Sequence, residues 1–288
     1  MLKRILTATV MIVVVFGFIL GLRQIHPAIL DGFIALLMIA AAYEMCDALK
    51  KAEYNTMKYL NMGAALVIAV ATYFGGYLGL ALSVTACVLV ELAIFTFDHK
   101  YELKDIFASL FVLFYPIVPL ALLIVMNNLV AAEMGLYAIL LTVFIPVFTD
   151  TLAYFTGRFF GNKKLCPEIS PKKTIAGAIG GVIGAIIGTL LVFVLFDVTN
   201  LFASFNYVCE FQLTDEYWKS ALIYIVLGII AGPISEIGDL IASWIKRKAG
   251  IKDYGNIFPG HGGFMDRLDS VIVTIPVVLC FVEIITRI

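Results

Sequence analysis

Hydrophobic positions in this chain come in long unbroken runs rather than in the alternating or 3.6-residue patterns of a soluble fold. Nine runs approach the roughly 20 residues that a helix needs to cross hydrocarbon, near 5–22, 27–43, 59–75, 77–97, 106–126, 135–156, 174–196, 220–244 and 270–286. Only the Gly75-Gly76 pair separates the third from the fourth. The first run follows Lys3 and Arg4 but lacks a small-residue cleavage site, so it reads as an uncleaved span rather than a signal peptide. Pro116, Pro119 and Pro146 fall inside runs and predict kinks, which spans tolerate where neighbours satisfy the freed backbone. Gly177, Gly181, Gly184 and Gly188 recur at i, i+4, i+7 and i+11, a stripe that predicts close helix packing rather than a ligand site.

Composition agrees with this solvent. Of 288 residues, 62% are hydrophobic and 14% charged, against about 25% charged in an ordinary soluble domain. The expected fold is therefore all-α, a polytopic integral membrane protein of about nine transmembrane helices. A net charge of −1 excludes a globally basic nucleic-acid binder. The five cysteines are odd in number and never spaced as CxxC, so neither a disulfide framework nor a zinc site is indicated.

Charge placement orients the chain. With the N-terminus in the cytoplasm, 17 of the 20 lysines and arginines fall on that side, leaving only Arg23, Lys219 and Arg287 outside. Nine spans, N-in and C-out, are expected from this alternation. The only substantial polar segments on the cytoplasmic side are then about 157–173 and 245–269.

The denser segment runs from Ser243 through Lys246, Arg247, Lys248, Lys252 and Asp253 to a Pro-Gly-His-Gly-Gly turn at 259–263, then to Asp266, Arg267 and Asp269. A solvated positive loop explains the lysines. It does not explain Asp266 and Asp269, which at i and i+3 share one helix face at the mouth of a span, where an unpaired carboxylate is costly. They call for a Lys or Arg partner or for a cation, and paired hard oxygens suit Mg²⁺ with phosphates completing its shell. Upstream, Ser235, Asp239 and Ser243 form one stripe of a single span; the serines read as interhelical glue and Asp239 as a functional group. The three aspartates converge if the last two spans are neighbours. In the other segment, Ser170-Pro171 reads as a turn, and Lys172, Lys173 and Thr174 stand at the start of the glycine-rich helix. Helix N-termini and lysines both attract phosphate, so Ser170 to Thr174 is a candidate phosphate cradle.

The run from Ser243 to Asp269 resembles the signature of the phosphatidate cytidylyltransferases, or CDP-diacylglycerol synthases: Ser243, Lys246-Arg247, Lys252-Asp253, Phe258-Pro259, His261-Gly262-Gly263, Asp266-Arg267 and Asp269 are all in place. The resemblance extends to Gly238-Asp239-Leu240, to Asp150-Thr151 with Tyr154, Gly157-Arg158 and Gly161, and to Ser170 through Thr174. It covers the C-terminal half by motif and the N-terminal half only by size and hydropathy. The chain departs from the family at Ala176 and Ala242, where glutamates are usual, so no role of those glutamates carries over.

The resemblance implies transfer of CMP from CTP to phosphatidate, giving CDP-diacylglycerol and pyrophosphate, by a membrane-embedded homodimer at the cytoplasmic face of the inner (plasma) membrane. It implies Mg²⁺, with K⁺ as a second cation, held by Asp239, Asp266 and Asp269. Lys246, Arg247, Lys252 and Arg267 are expected to offset developing charge. Arg158, Ser170, Lys172, Lys173, Thr174, Ser243, His261, Gly262 and Gly263 are expected to contact substrate, the glycines by letting backbone approach phosphate. On this reading 1–130 is an N-terminal helical region offering oligomer contacts, and 131–288 is the catalytic region with both loops. The rivals are a dolichol-kinase-like CTP-dependent lipid kinase, distinguished by its products, and a cation-coupled transporter using Asp150, Glu236 and Asp239, against which stands the missing inverted repeat.

Overall fold

The computed structural model describes residues 9–11, 13–128, 132–199, 214, 216–258, 260 and 262–286. Among them, seven helices are long and apolar enough to cross a membrane. They are α1 (Pro27–Lys51), α2 (Lys58–Phe97), α3 (Leu103–Asn128), α4 (Ala132–Phe160), α5 (Ile175–Val198), α6 (Tyr217–Lys248) and α7 (Met265–Ile285). The expected all-α polytopic class holds. The only sheet among the described residues is an antiparallel pair, β1 (Lys164–Cys166) with β2 (Ser170–Thr174).

The difference between seven helices and nine expected spans is local. α2 is 40 residues long, but Gly76 has φ 53° and ψ −133°, and a Cβ on Gly79 would strike the carbonyl of Ala71. Residues eight apart in a straight helix lie about 12 Å apart, so the chain reverses at Gly76. The expected spans 59–75 and 77–97 are the two arms of this element. The positive φ explains why the break falls on glycine. The expected span 5–22 lies partly outside the described residues, and a shorter apolar helical run covers Thr9–Ile25. Lys3, Arg4, Arg287 and most of the 197–219 connection also lie outside them.

The chain divides into two compact units, Met1–Leu129 with Ile245–Leu268, and Val130–Trp244 with Asp269–Ile288. The loop expected to belong with the C-terminal region thus groups with the N-terminal helices, held there by backbone hydrogen bonds to Glu44 of α1.

In the first unit, the helices bury an apolar core that includes Met38, Ile68, Leu113 and Ile124, with several polar pairs set into it. Asn61 Nδ2 donates to Ser109 Oγ at 2.6 Å, and the amides of Asn127 and Asn128 donate to the two oxygens of Asp31 at 2.8 and 2.9 Å. Phe74 is 82% exposed, as suits a side chain solvated by lipid. Pro116 produces its expected distortion as a widened turn over Leu113–Ile117, after which Val118 N–H reaches back to Leu113 O. The helices run on through Pro119 and Pro146.

In the second unit the glycine stripe does what its spacing predicts. A Cβ at Gly177 would press on Ala153 O, at Gly184 on Phe148 O and at Gly188 on Phe144 O, so α5 lies backbone to backbone against α4. Gly184→Val is expected to lower stability by about 1–3 kcal/mol through overpacking. Ile187→Ala, on the 43% exposed outer face of the same helix, is expected to change it little. Thermal unfolding in detergent reads both.

Candidate functional site

In the second unit, the two lysines of β2 have different surroundings. Lys172 points out and is exposed, whereas Lys173 points in, donating to Asp239 Oδ2 at 2.9 Å and to the Glu236 carbonyl at 3.2 Å. The pair is partly accessible, 21% for the Lys173 side chain and 27% for Asp239. Asp239 also accepts a long hydrogen bond from Ser243 Oγ, 3.4 Å. Ser243 therefore bonds within its own helix rather than across helices, as the glue reading expected.

The expected turn at Ser170-Pro171 lies instead at 167–169, and Ser170 already belongs to β2, paired with Cys166. Pro171 is tolerated because a two-stranded sheet is all edge. Thr174, expected to contact substrate, is 4% exposed, and its Oγ1 accepts Gly177 N–H at 3.1 Å as the N-cap of α5. Arg158 is exposed and donates to Tyr154 Oη at 2.8 Å.

α6 meets α7 where side chains are smallest. A Cβ at Gly238 would touch Asp269 O and Ser270 Cα, at 2.8 and 3.3 Å. The last two helices are therefore neighbours at the level of Asp239 and Asp269. Asp269 Oδ1 accepts the N–H of Ser270 at 2.9 Å.

In the first unit, α6 ends in Lys246, Arg247 and Lys248, cations that suit the negative end of the helix dipole. Gly250, with φ 65°, closes the helix: Ile251 N–H bonds Lys246 O and Gly250 N–H bonds Arg247 O. Lys246 then turns back onto Asp266, Nζ to Oδ1 at 2.8 Å, above the ring of Tyr254. Asp266 Oδ2 accepts the N–H groups of Tyr254 at 2.8 Å and Gly263 at 3.0 Å. Both oxygens are occupied, and the side chain is 3% exposed. Arg247, Lys252 and Arg267 are exposed, and His261 lies outside the described residues.

The glycines of this loop have a different reason from the one the sequence suggested. Gly262 has φ 82° and a Cβ there would meet the Asp266 carboxylate; one at Gly263 would meet the carboxylate of Glu44. They admit the protein's own anions. Glu44 was missed by sequence reasoning, since it falls just past the end of the apolar run 27–43, among Asp47, Lys50 and Lys51, where a charge is ordinary.

Among the described residues no three His, Cys, Asp or Glu side chains converge on one point suited to a metal. In the second unit, Asp239 is partly accessible and stands on α6 next to Gly238, which packs on the backbone of Asp269 of α7, so two carboxylate-bearing residues lie at one level of neighbouring helices; hard oxygens of this kind are the donors Mg²⁺ takes, with water and phosphate completing its shell. Asp266 fits less well, since a cation there would displace a buried lysine.

A model of the cytidylyltransferase family matches residues 2–285. The chain belongs to the cytidylyltransferase family. Its relatives include phosphatidate cytidylyltransferases of Aquifex aeolicus, 36% identical over 190 residues (66% of this chain, 62% of the relative), and of Rickettsia prowazekii, 32% over 163 residues (57% and 64%). One from Staphylococcus haemolyticus is 40% identical over 142 residues (49% and 47%). The chain thus spans about half to two thirds of the length of the curated relatives it matches.

The Lys246–Asp266 pair is a buried ion pair, and removing one partner strands the other. Lys246→Met is expected to destabilise the protein by about 3–5 kcal/mol, whereas exposed Lys252→Met leaves thermal unfolding in detergent nearly unchanged.

Proposed function

We propose that this protein transfers the CMP moiety of CTP to phosphatidate, releasing pyrophosphate and leaving CDP-diacylglycerol in the membrane. A phosphate oxygen of phosphatidate bonds to the α-phosphorus of CTP while the bond from that phosphorus to the α,β-bridging oxygen breaks, and pyrophosphate departs with the electron pair. Family membership and the named relatives support this reading. The observation that carries it is the accessible Lys173–Asp239 pair, with exposed Lys172 adjacent in β2.

The nucleophile is a phosphate monoester, already anionic near neutral pH, so the chemistry needs no strong base. It needs two polyanions brought together and the leaving group stabilised. Lys173 is the residue that changes partner. In the free protein its ammonium is neutralised by Asp239; a triphosphate competes for it, which leaves the carboxylate to a cation. Lys172 and Arg158 add charge at the hairpin and at the end of α4. Asp239 and Asp269 are the carboxylates that would hold Mg²⁺, which supplies charge neutralisation at the phosphates. In the first unit, Arg247, Lys252 and Arg267 present positive charge, and Lys246 serves to hold Asp266. The bias of lysine and arginine supports a cytoplasmic site on the inner membrane, and family resemblance supports a homodimer.

Purified protein with phosphatidate, Mg²⁺ and CTP labelled at either the α- or the γ-phosphate tests the reading. Label from the α position is expected in lipid, with pyrophosphate released and turnover abolished by a chelator. Lipid labelled from the γ position would instead reveal a kinase, and no labelled lipid from folded protein would refute the proposal outright. Lys173→Met and Asp239→Asn are each expected to lower turnover by about 10²–10³-fold.

A further inference from the structure

Glu44 lies on α1, outside both polar segments, and is 2% exposed. Its Oε1 accepts the N–H of Phe264 at 3.1 Å and its Oε2 the N–H of Met265 at 2.9 Å. These amides open α7, where a helix leaves its donors without internal acceptors. Asp266 takes the preceding amide, Gly263 N–H, together with Tyr254 N–H. Three consecutive amides, 263 to 265, are therefore held by two carboxylates approaching from two elements. Gly255 and Gly263 both lack the Cβ that would collide with Glu44, so the loop is shaped to this one side chain.

A buried carboxylate is a costly way to cap a helix, and Ser or Thr would satisfy one amide with less desolvation. What the carboxylate adds is two acceptor oxygens fixed in one plane, which orient two successive peptide groups. The residue after this turn is Asp266, and the next is exposed Arg267. We propose that Glu44 is a positioning residue for the proposed CMP transfer: from the N-terminal helices it fixes the first turn of α7, and with it the placement of Asp266 and Arg267. The inference rests on the functional reading above and assigns a role to the half of the chain that carries no signature motif.

The test compares wild type with Glu44→Ala, Glu44→Gln, Gly263→Ala and the Glu44→Ala/Gly263→Ala double variant, measuring kcat, KM for each substrate, thermal unfolding, and amide exchange over 255–268. Glu44→Ala is expected to lower kcat about 10–100-fold while KM for phosphatidate holds within about twofold, as a misplaced but intact site would. Exchange at Phe264 and Met265 is expected to rise by about tenfold. Glu44→Gln, which keeps one acceptor, should fall between. Gly263→Ala should lower kcat by displacing the carboxylate, yet cost nothing further once Glu44 is gone. A Glu44→Ala enzyme with wild-type kcat overturns the proposal. So do losses that multiply in the double variant, or a kcat that falls only in step with thermal stability and with both KM values. Should wild type itself make no CDP-lipid, the functional reading and the positioning role fall together, and the exchange data still decide whether the clamp exists.

Discussion

Three buried carboxylates of the first unit, Asp31, Glu44 and Asp266, are held by donors that the protein itself supplies, and the packing of that unit is tied to where those donors stand. The hydrocarbon offers no partner to a polar group, so a donor on a neighbouring helix or loop is worth more there than in water. Asp31 finds two asparagines of α3, Asp266 a lysine and two amides, and Glu44 two amides of α7. The Asp31 and Glu44 pairings join segments about 96 and 220 positions apart, and Asp266 ties the signature loop to the end of α6. In a molecule whose outer faces are apolar, such links choose which helix faces meet, since lipid competes on equal terms for the rest.

Two lysine–aspartate pairs of similar length then have different uses. Lys246 and Asp266 are nearly sealed, and both carboxylate oxygens carry further bonds; separating them would leave a charge stranded. Lys173 and Asp239 are each about a quarter exposed, and the second bond to Asp239 is a long one from a serine. Water compensates for separating that pair, so its free-energy cost is small. An ion pair that opens cheaply can exchange its partners for a phosphate and a cation. One that cannot is scaffold. Burial, rather than residue type or motif membership, separates how readily the two pairs open.

Much of the fold was legible because the physics that sets it is local. Uninterrupted apolar runs gave the all-α polytopic class, the Gly75-Gly76 pair marked the reversal inside α2, and the spacing of Gly177 to Gly188 gave the α4–α5 contact. Asp239 was legible as unusual because a carboxylate inside an apolar run is rare. Partners were not legible. Nothing in the Ser243–Asp269 run announces that Asp266 closes on Lys246, nor that the acceptor for the amides of Phe264 and Met265 sits on α1, some 220 positions away. Gly262 and Gly263 show the same limit: the sequence says that space is needed there, but not whether phosphate or carboxylate fills it.

That last distinction bears on how a polyanion is met. In many phosphate-binding loops, glycines expose a row of backbone amides that the phosphate itself occupies. Here the amides of Tyr254, Gly263, Phe264 and Met265 are already committed to Asp266 and Glu44. Those four amides are not open to a phosphate, and the exposed Arg247, Lys252 and Arg267 carry the positive charge that the proposed function would use on this loop. Such side chains reach across several positions, whereas a backbone cradle fixes one. The proposed transfer would bring a nucleotide and a lipid phosphate together and release pyrophosphate, and it would be served by cations that can follow charge as it moves, standing on a loop whose amides are tied to the protein's own carboxylates.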